Sequence, residues 1–158
     1  MDGPRVGLGL DVHAPDPARP LFLGGVLFEG SAGLAGHSDG DVVCHALADA
    51  MFGAAALEDL GAHFPDTDPA FAGIAGLDLL ARSVALARAA GFVPGSVDLT
   101  VIAASPSIAP QREAMRERLA GTLGIPIDRV SVKATRPEGL GLSGEGVGCL
   151  ALAVLTPS

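Results

Sequence analysis

Two short stretches hold most of the side chains that could do chemistry. Arg5 to His13 (Arg-Val-Gly-Leu-Gly-Leu-Asp-Val-His) alternates small and apolar residues as a buried strand does, and Ala14-Pro15-Asp16-Pro17 ends it. Asp11 and His13 are two apart, so on a strand they project from one face. A carboxylate and an imidazole placed that way are either half of a zinc site or a strand-end aspartate capping a turn beside a histidine satisfied by backbone. The second stretch is Gly36-His37-Ser38-Asp39-Gly40-Asp41-Val42-Val43-Cys44-His45. Ser38 with Asp41 three residues on reads as a capping box, and Ala46 to Ala56 continues in strong helix formers. His45 is therefore expected on a helix, with Asp49 one turn later to orient its imidazole. His37 is expected just before the helix, beside N–H groups that favour an anion.

The composition narrows what such a site could serve. With 158 residues the chain is expected to form one domain with a sizeable core. That core must be aliphatic, because 49% of residues are hydrophobic while Phe, present six times, is the only aromatic. A net charge of −8 with ten basic residues argues against a nucleic-acid surface. An anionic substrate would need positive charge from a metal. Cys44 and Cys149 lie in apolar runs and are too few for a disulfide framework, which fits a reducing compartment. Neither a signal segment at Met1 to Pro4 nor an apolar run approaching ~18 residues is present, so a cytoplasmic protein that does not span a membrane is expected.

The elements that must position these residues follow from periodicity and punctuation. Leu21-Phe22-Leu23 and Val26-Leu27-Phe28, joined by Gly24-Gly25, read as a hairpin. Leu57 to Pro69, rich in carboxylates and proline, reads as a loop, either solvated Asx turns or a binding loop. Gly76 to Gly91 repeats Leu77, Leu80, Val84 and Ala87 at helical spacing. Ser96 to Ala104 reads as a strand, and Ala109 to Gly124 as a helix with Met115, Leu119 and Leu123 inward and Arg112 on its solvated side. Between them runs a small-residue loop against which a flat ring could lie. Asp128 to Ala134 and Gly146 to Leu155 read as strands of a terminal hairpin. The expected fold class is α+β: a roughly four-stranded mixed sheet with helices on one face. Gly7-x-Gly9 is not a dinucleotide fingerprint, because no helix follows it.

Five segments, in order and spacing, resemble the 2-C-methyl-D-erythritol 2,4-cyclodiphosphate synthase family over nearly the whole chain. They are Gly9-x-Asp11-Val12-His13; His37-Ser38-Asp39-Gly40-Asp41-x-x-x-His45-Ala46-Leu47; Asp59-x-Gly61-x-x-Phe64-Pro65-Asp66-Thr67-Asp68-Pro69; Val97-Asp98-x-Thr100 with its Pro106 loop; and Val132-Lys133-Ala134-Thr135-x-x-Glu138-x-Leu140-Gly141. The resemblance implies that Asp11, His13 and His45 bind a catalytic zinc, whose fourth position takes a substrate phosphate oxygen. It implies that His37 and Ser38 grip phosphates, that Asp59 and Gly61, with Leu60 between them in the substrate-binding set, contact the sugar portion, and that Phe64, Pro65, Asp66, Thr67 and Asp68 form the loop around the methylerythritol end. Ala103, Ala104, Ser105, Pro106, Ser107, Ile108 and Ala109 would form a cytosine pocket. Thr135, Arg136, Pro137, Glu138 and Leu142 would surround the diphosphate, with Glu138 holding Mg2+ or Mn2+. A homotrimer with active sites between subunits is implied. So is the reaction: cyclisation of 4-diphosphocytidyl-2-C-methyl-D-erythritol 2-phosphate with release of CMP, a phosphorus-oxygen lyase step of non-mevalonate isoprenoid synthesis.

The chain departs from the family pattern in three places. Thr135-Arg136-Pro137-Glu138 stands where Thr-Thr-Thr-Glu is usual, so Arg136 takes the position of the threonine that polarises the attacked phosphate and joins His37 as an expected catalytic residue. Leu142-Ser143-Gly144-Glu145-Gly146 replaces a longer pattern whose arginine faces the trimer axis, and Ser107 replaces a common lysine. Two other readings are a non-catalytic homologue that binds zinc and cytidine nucleotides, and a zinc hydrolase using His63 as base.

Overall fold

The computed structural model describes residues 3–141 and 145–158. In chain order the strands and α-helices are β1 (Arg5–His13), β2 (Pro15–Asp16), β3 (Leu21–Leu23), β4 (Val26–Phe28), β5 (Gly33–Leu34), α1 (Val42–Ala55), α2 (Leu60–His63), α3 (Gly76–Ala89), β6 (Phe92–Ala103), α4 (Arg112–Leu123), β7 (Val130–Thr135) and β8 (Val147–Pro157). One mixed sheet, in the order β1-β8-β6-β7, carries the architecture. β8 is antiparallel to both of its neighbours, and β6 and β7 are parallel. The fold is α+β, as expected.

The expected terminal hairpin does not form. β7 is an edge strand and β8 lies in the middle of the sheet. The connection β6-α4-β7 is a crossover, which makes that pair parallel. β8 suits the central place because its helix-facing residues Cys149, Ala151, Ala153 and Leu155 are fully buried.

The helix-bearing face explains two glycines that the sequence reading left without a role. A Cβ on Gly7 or Gly9 would overlap the carbonyl oxygens of Ala50 and Ala46. The α1 backbone therefore lies directly on β1, an approach that any larger residue blocks. The opposite face of β1 bears Val6, Leu8, Leu10 and Val12, each at least half exposed. Leu152 and Leu150 of β8 pair with Leu8 and Leu10 and extend that apolar strip.

Smaller elements anchor the start of α1. Leu21–Leu23 and Val26–Phe28 form the expected hairpin, with Gly24 and Gly25 both at positive φ, as its two-residue turn requires. The helix begins later than the expected capping box. Asp41, not Ser38, is the N-cap: its carboxylate accepts from Cys44 N at 3.1 Å and also from Gly24 N and Gly25 N. It wins because it is fully buried and meets three donors, two of them from a hairpin that local spacing cannot see. Leu57 to Pro69 is not all loop, since Asp59 accepts from Ala62 N and nucleates α2.

Candidate functional site

Each of the three best metal-ligating side chains is positioned by one contact of the fold. Asp11 and His13 leave the same face of β1, and the close β1–α1 approach brings His45 to them. One ligand atom from each lies within 4.8 Å of the others, a grouping unique among the described residues. Asp11 Oδ2 is 2.8 Å from His13 Nε2 and 3.2 Å from His45 Nδ1. The far ring nitrogens are also engaged. His13 Nδ1 meets the carbonyl oxygen of Ala35, and His45 Nε2 lies 2.8 Å from Ser38 Oγ. The inner nitrogens, His13 Nε2 and His45 Nδ1, hydrogen-bond to Asp11 Oδ2; with the outer nitrogens protonated instead, their lone pairs would be free for a metal.

Electrostatics within the cluster are mutual. Burial pushes the Asp11 carboxyl up, but hydrogen bonds and charge from His13 and His45 outweigh it and hold the group below its ordinary value. The hydrogen bond to Asp11 raises His13 above its ordinary value, against partial desolvation. A carboxylate and two imidazoles with fixed outer hydrogen bonds suit a tetrahedral zinc that leaves one position open.

The expected orienting role of Asp49 is not realised. Its Oδ1 accepts from Leu60 N at 2.9 Å, which ties α1 to α2. Ser38 stands against His45 instead, buried and held by Gly40 N, which donates to its Oγ. Arg19 holds the same loop by donating to the carbonyl oxygens of Gly36 and Ser38. Nothing local to Arg19 signals this contact across the fold.

A cavity of about 260 Å³ opens over the cluster and gathers Asp11, His13, His37, Ser38, His45, Leu60, Phe64 and Asp66 from the expected set. Gly36, Phe71, Ile74 and Leu79 complete its wall and were missed, because they are unremarkable apolar or small residues in sequence. His37 is exposed and lies well before the start of α1, with Nε2 3.1 Å from the Asp68 carbonyl oxygen. The loop reading of solvated Asx turns holds for Asp59 and Asp68, whose carboxylates accept from Ala62 N and Ala70 N. Asp59, Gly61, Pro65, Thr67 and Asp68 stand next to this lining, not in it. His63 packs at a tilt against Phe52 and its Nε2 meets the Leu57 carbonyl oxygen at 2.6 Å, an architectural role that leaves the hydrolase reading without its base.

A second cavity, of about 250 Å³, lies at the end of β6. Ala103, Ala104, Pro106, Ser107, Ile108 and Ala109 line it with Thr135 and Arg136, all from the expected set, and with Ala134 and Arg112, which were not. Ser105 instead lines an adjoining groove with Pro15 and Val147. Pro137 and Glu138 follow in a turn closed by Leu140 N donating to the Pro137 carbonyl, with Glu138 at φ 51°. Leu142 lies outside the described residues. His13 and Ala103 both pair with Val147, so the two cavities open at the same end of the sheet, about two strand spacings (~10 Å) apart. They share no lining residue.

Comparisons with known proteins identify the family and the fold. The model of the YgbB family matches residues 4–157. A 2-C-methyl-D-erythritol 2,4-cyclodiphosphate synthase of Trichlorobacter lovleyi is 50% identical over 151 residues, covering 96% of both chains. The synthase of Symbiobacterium thermophilum is 51% identical over 152 residues, covering 95% of this chain and 97% of its own. A solved structure of a synthase with bound CDP superimposes with a TM-score of 0.87 at 35% identity, covering 96% of this chain and 99% of the other. The bifunctional IspDF of Campylobacter jejuni superimposes at 0.92 with 39% identity; 98% of this chain is covered but only 42% of the longer protein. A family model that reaches from Pro4 to Pro157, and relatives half identical over nearly their full length, leave one assignment: the chain belongs to the YgbB family.

Proposed function

We propose that the chain, acting as one domain over residues 1–158, cyclises 4-diphosphocytidyl-2-C-methyl-D-erythritol 2-phosphate to the 2,4-cyclodiphosphate and releases CMP. The relatives' names support the reaction, and the observation that carries it in this chain is the Asp11–His13–His45 cluster at the floor of a cavity. The substrate brings its own nucleophile: a 2-phosphate oxygen attacks the β-phosphorus, a P–O bond forms, and the bond from that phosphorus to the bridging oxygen breaks. The electron pair leaves with CMP, so no catalytic base is needed, and the enzyme class is a phosphorus-oxygen lyase. The barrier lies in aligning mutually repelling anions, which is a task of positioning and charge.

This chain's residues divide that task. Asp11, His13 and His45 would hold zinc and Glu138 would hold Mg2+ or Mn2+; bound there, the ions would supply the positive charge that an acidic protein lacks. His37 and Ser38 orient the attacking phosphate. Leu60, Phe64 and Asp66 enclose the methylerythritol end, with Asp59, Gly61, Pro65, Thr67 and Asp68 shaping the loop behind them. The backbone of Ala103 to Ala109 takes the cytosine edge. Arg136 donates to the β-phosphate as charge develops, and Thr135 holds the same chain of phosphates. Pro137 stiffens that turn.

Both cavities must serve one substrate, which a homotrimer allows by joining the metal site of one copy to the nucleotide pocket of the next. The exposed strip of Val6, Leu8, Leu10, Val12, Leu150 and Leu152 is the surface such an assembly would cover, and its continuous apolar character supports the reading. A cytoplasmic setting fits the two buried free thiols. No helix among the described residues is long and apolar enough to cross a membrane. The test is CMP release from the cytidylyl substrate by chelator-stripped protein before and after adding zinc and magnesium. Restoration that requires both ions is expected. Full turnover in the stripped protein would refute the metal-dependent mechanism.

A further inference from the structure

The cavity at the end of β6 holds a second cation. We infer that Arg112 binds the phosphate chain of the nucleotide together with Arg136, so that two guanidinium groups from α4 and the segment after β7 form one anion site. This rests on the reading of that cavity as the nucleotide pocket.

Four observations converge on it. Arg112 and Arg136 line the same cavity of about 250 Å³, and no carboxylate lines it with them. The chain has ten basic residues against 18 acidic ones, so two unopposed arginines in one small cavity are a local reversal of its charge. Arg112 Nε is buried with no hydrogen-bond partner among the described residues, and no ion pair involving Arg112 occurs among them. Arg116, one turn along the same helix, shows the contrast: its Nε donates to the Val130 carbonyl, its Nη2 to the Ile127 carbonyl, and its Nη1 to Glu113.

The buried Nε is out of a ligand's reach, so the two Nη groups are the donors left to meet phosphate oxygens. Two such cations suit a diphosphate better than a neutral nucleoside. Arg112 is a binding residue in this account, and it sets the preference for nucleotide over nucleoside.

Titration calorimetry on the whole chain with CDP, cytidine and inorganic pyrophosphate, each at low and high salt, tests this. Arg112→Gln should weaken CDP and pyrophosphate by on the order of 10-fold and flatten their salt dependence, while cytidine binding stays within about twofold. Arg112→Lys, which keeps the charge and loses the fork, should recover part of the loss. Equal weakening of CDP and cytidine would overturn the inference, because Arg112 would then shape only the base pocket. Unchanged CDP binding by a folded Arg112→Gln protein would overturn it as well. If the unaltered chain binds pyrophosphate through Arg112 but neither CDP nor cytidine, the nucleotide reading fails and the anion site stands. If it binds none of the three, both fail.

Discussion

Asp11 shares one oxygen, Oδ2, between two imidazoles, which makes it the residue on which the candidate metal site turns. Asp11→Asn or His45→Ala should cut turnover by more than the ~10- to 100-fold typical of an outer partner, with loss of bound zinc measured by elemental analysis and the assembly intact. Ser38→Ala removes only the hydroxyl beside His45 Nε2, so zinc affinity should fall within that ~10- to 100-fold range while the fold stays unchanged. Protons compete for the same atoms. His13 is raised, so in metal-free protein its contribution to stability is complete below its ordinary value of 6.5 and is lost as pH rises through the higher folded value. Asp11 is lowered, so its contribution is present above 3.8 and is lost as pH falls through the lower folded value. The melting temperature of stripped protein should therefore gain from the pair between these limits, and His13→Ala should erase that gain. Zinc needs the imidazoles deprotonated, so the stabilisation it adds should grow with rising pH. A zinc-induced shift that is flat across pH 5 to 8 would remove His13 from the ligand set.

Among the elements, the contact of β1 with α1 decides whether these residues meet. Gly9→Ala forces a methyl against the Ala46 carbonyl, one residue from His45, and should cost about 3 kcal/mol or more while loosening the metal site. Gly121→Ala on α4 meets open space at a helical position and should be neutral or stabilise by up to ~1 kcal/mol, so denaturant unfolding of the pair separates crowding from glycine's general effect. Much at this scale was legible in the sequence. The two-residue spacing of Asp11 and His13 survives intact because strand geometry alone sets it. The hairpin at Gly24-Gly25 does too, since its turn is specified by the residues within it. What was not legible is long-range: Asp41 displaces Ser38 as the cap because a distant hairpin donates to it, and β8 moves to the centre because strand order is a property of the whole sheet. Arg112 is a similar case. On its own helix it reads as a solvated face, and only the arrival of β7 turns that face into a cavity wall.

For the whole molecule, the proposed mechanism requires assembly of subunits for catalysis but not for metal binding. All three candidate metal ligands come from one chain, whereas the two cavities of that chain do not share a wall. Leu8→Asp or Leu10→Asp places a charge in the exposed strip and should yield monomers by light scattering that still bind zinc but have lost turnover. Monomers with full turnover would place a complete site in one chain. The most direct measurement of the central claim is phosphorus NMR of the protein with the cytidylyl substrate, zinc and magnesium. A cyclic diphosphate and CMP should appear in equal amounts, and chelation should abolish both. Substrate that binds and remains intact, or linear phosphates released in place of the ring, would contradict it.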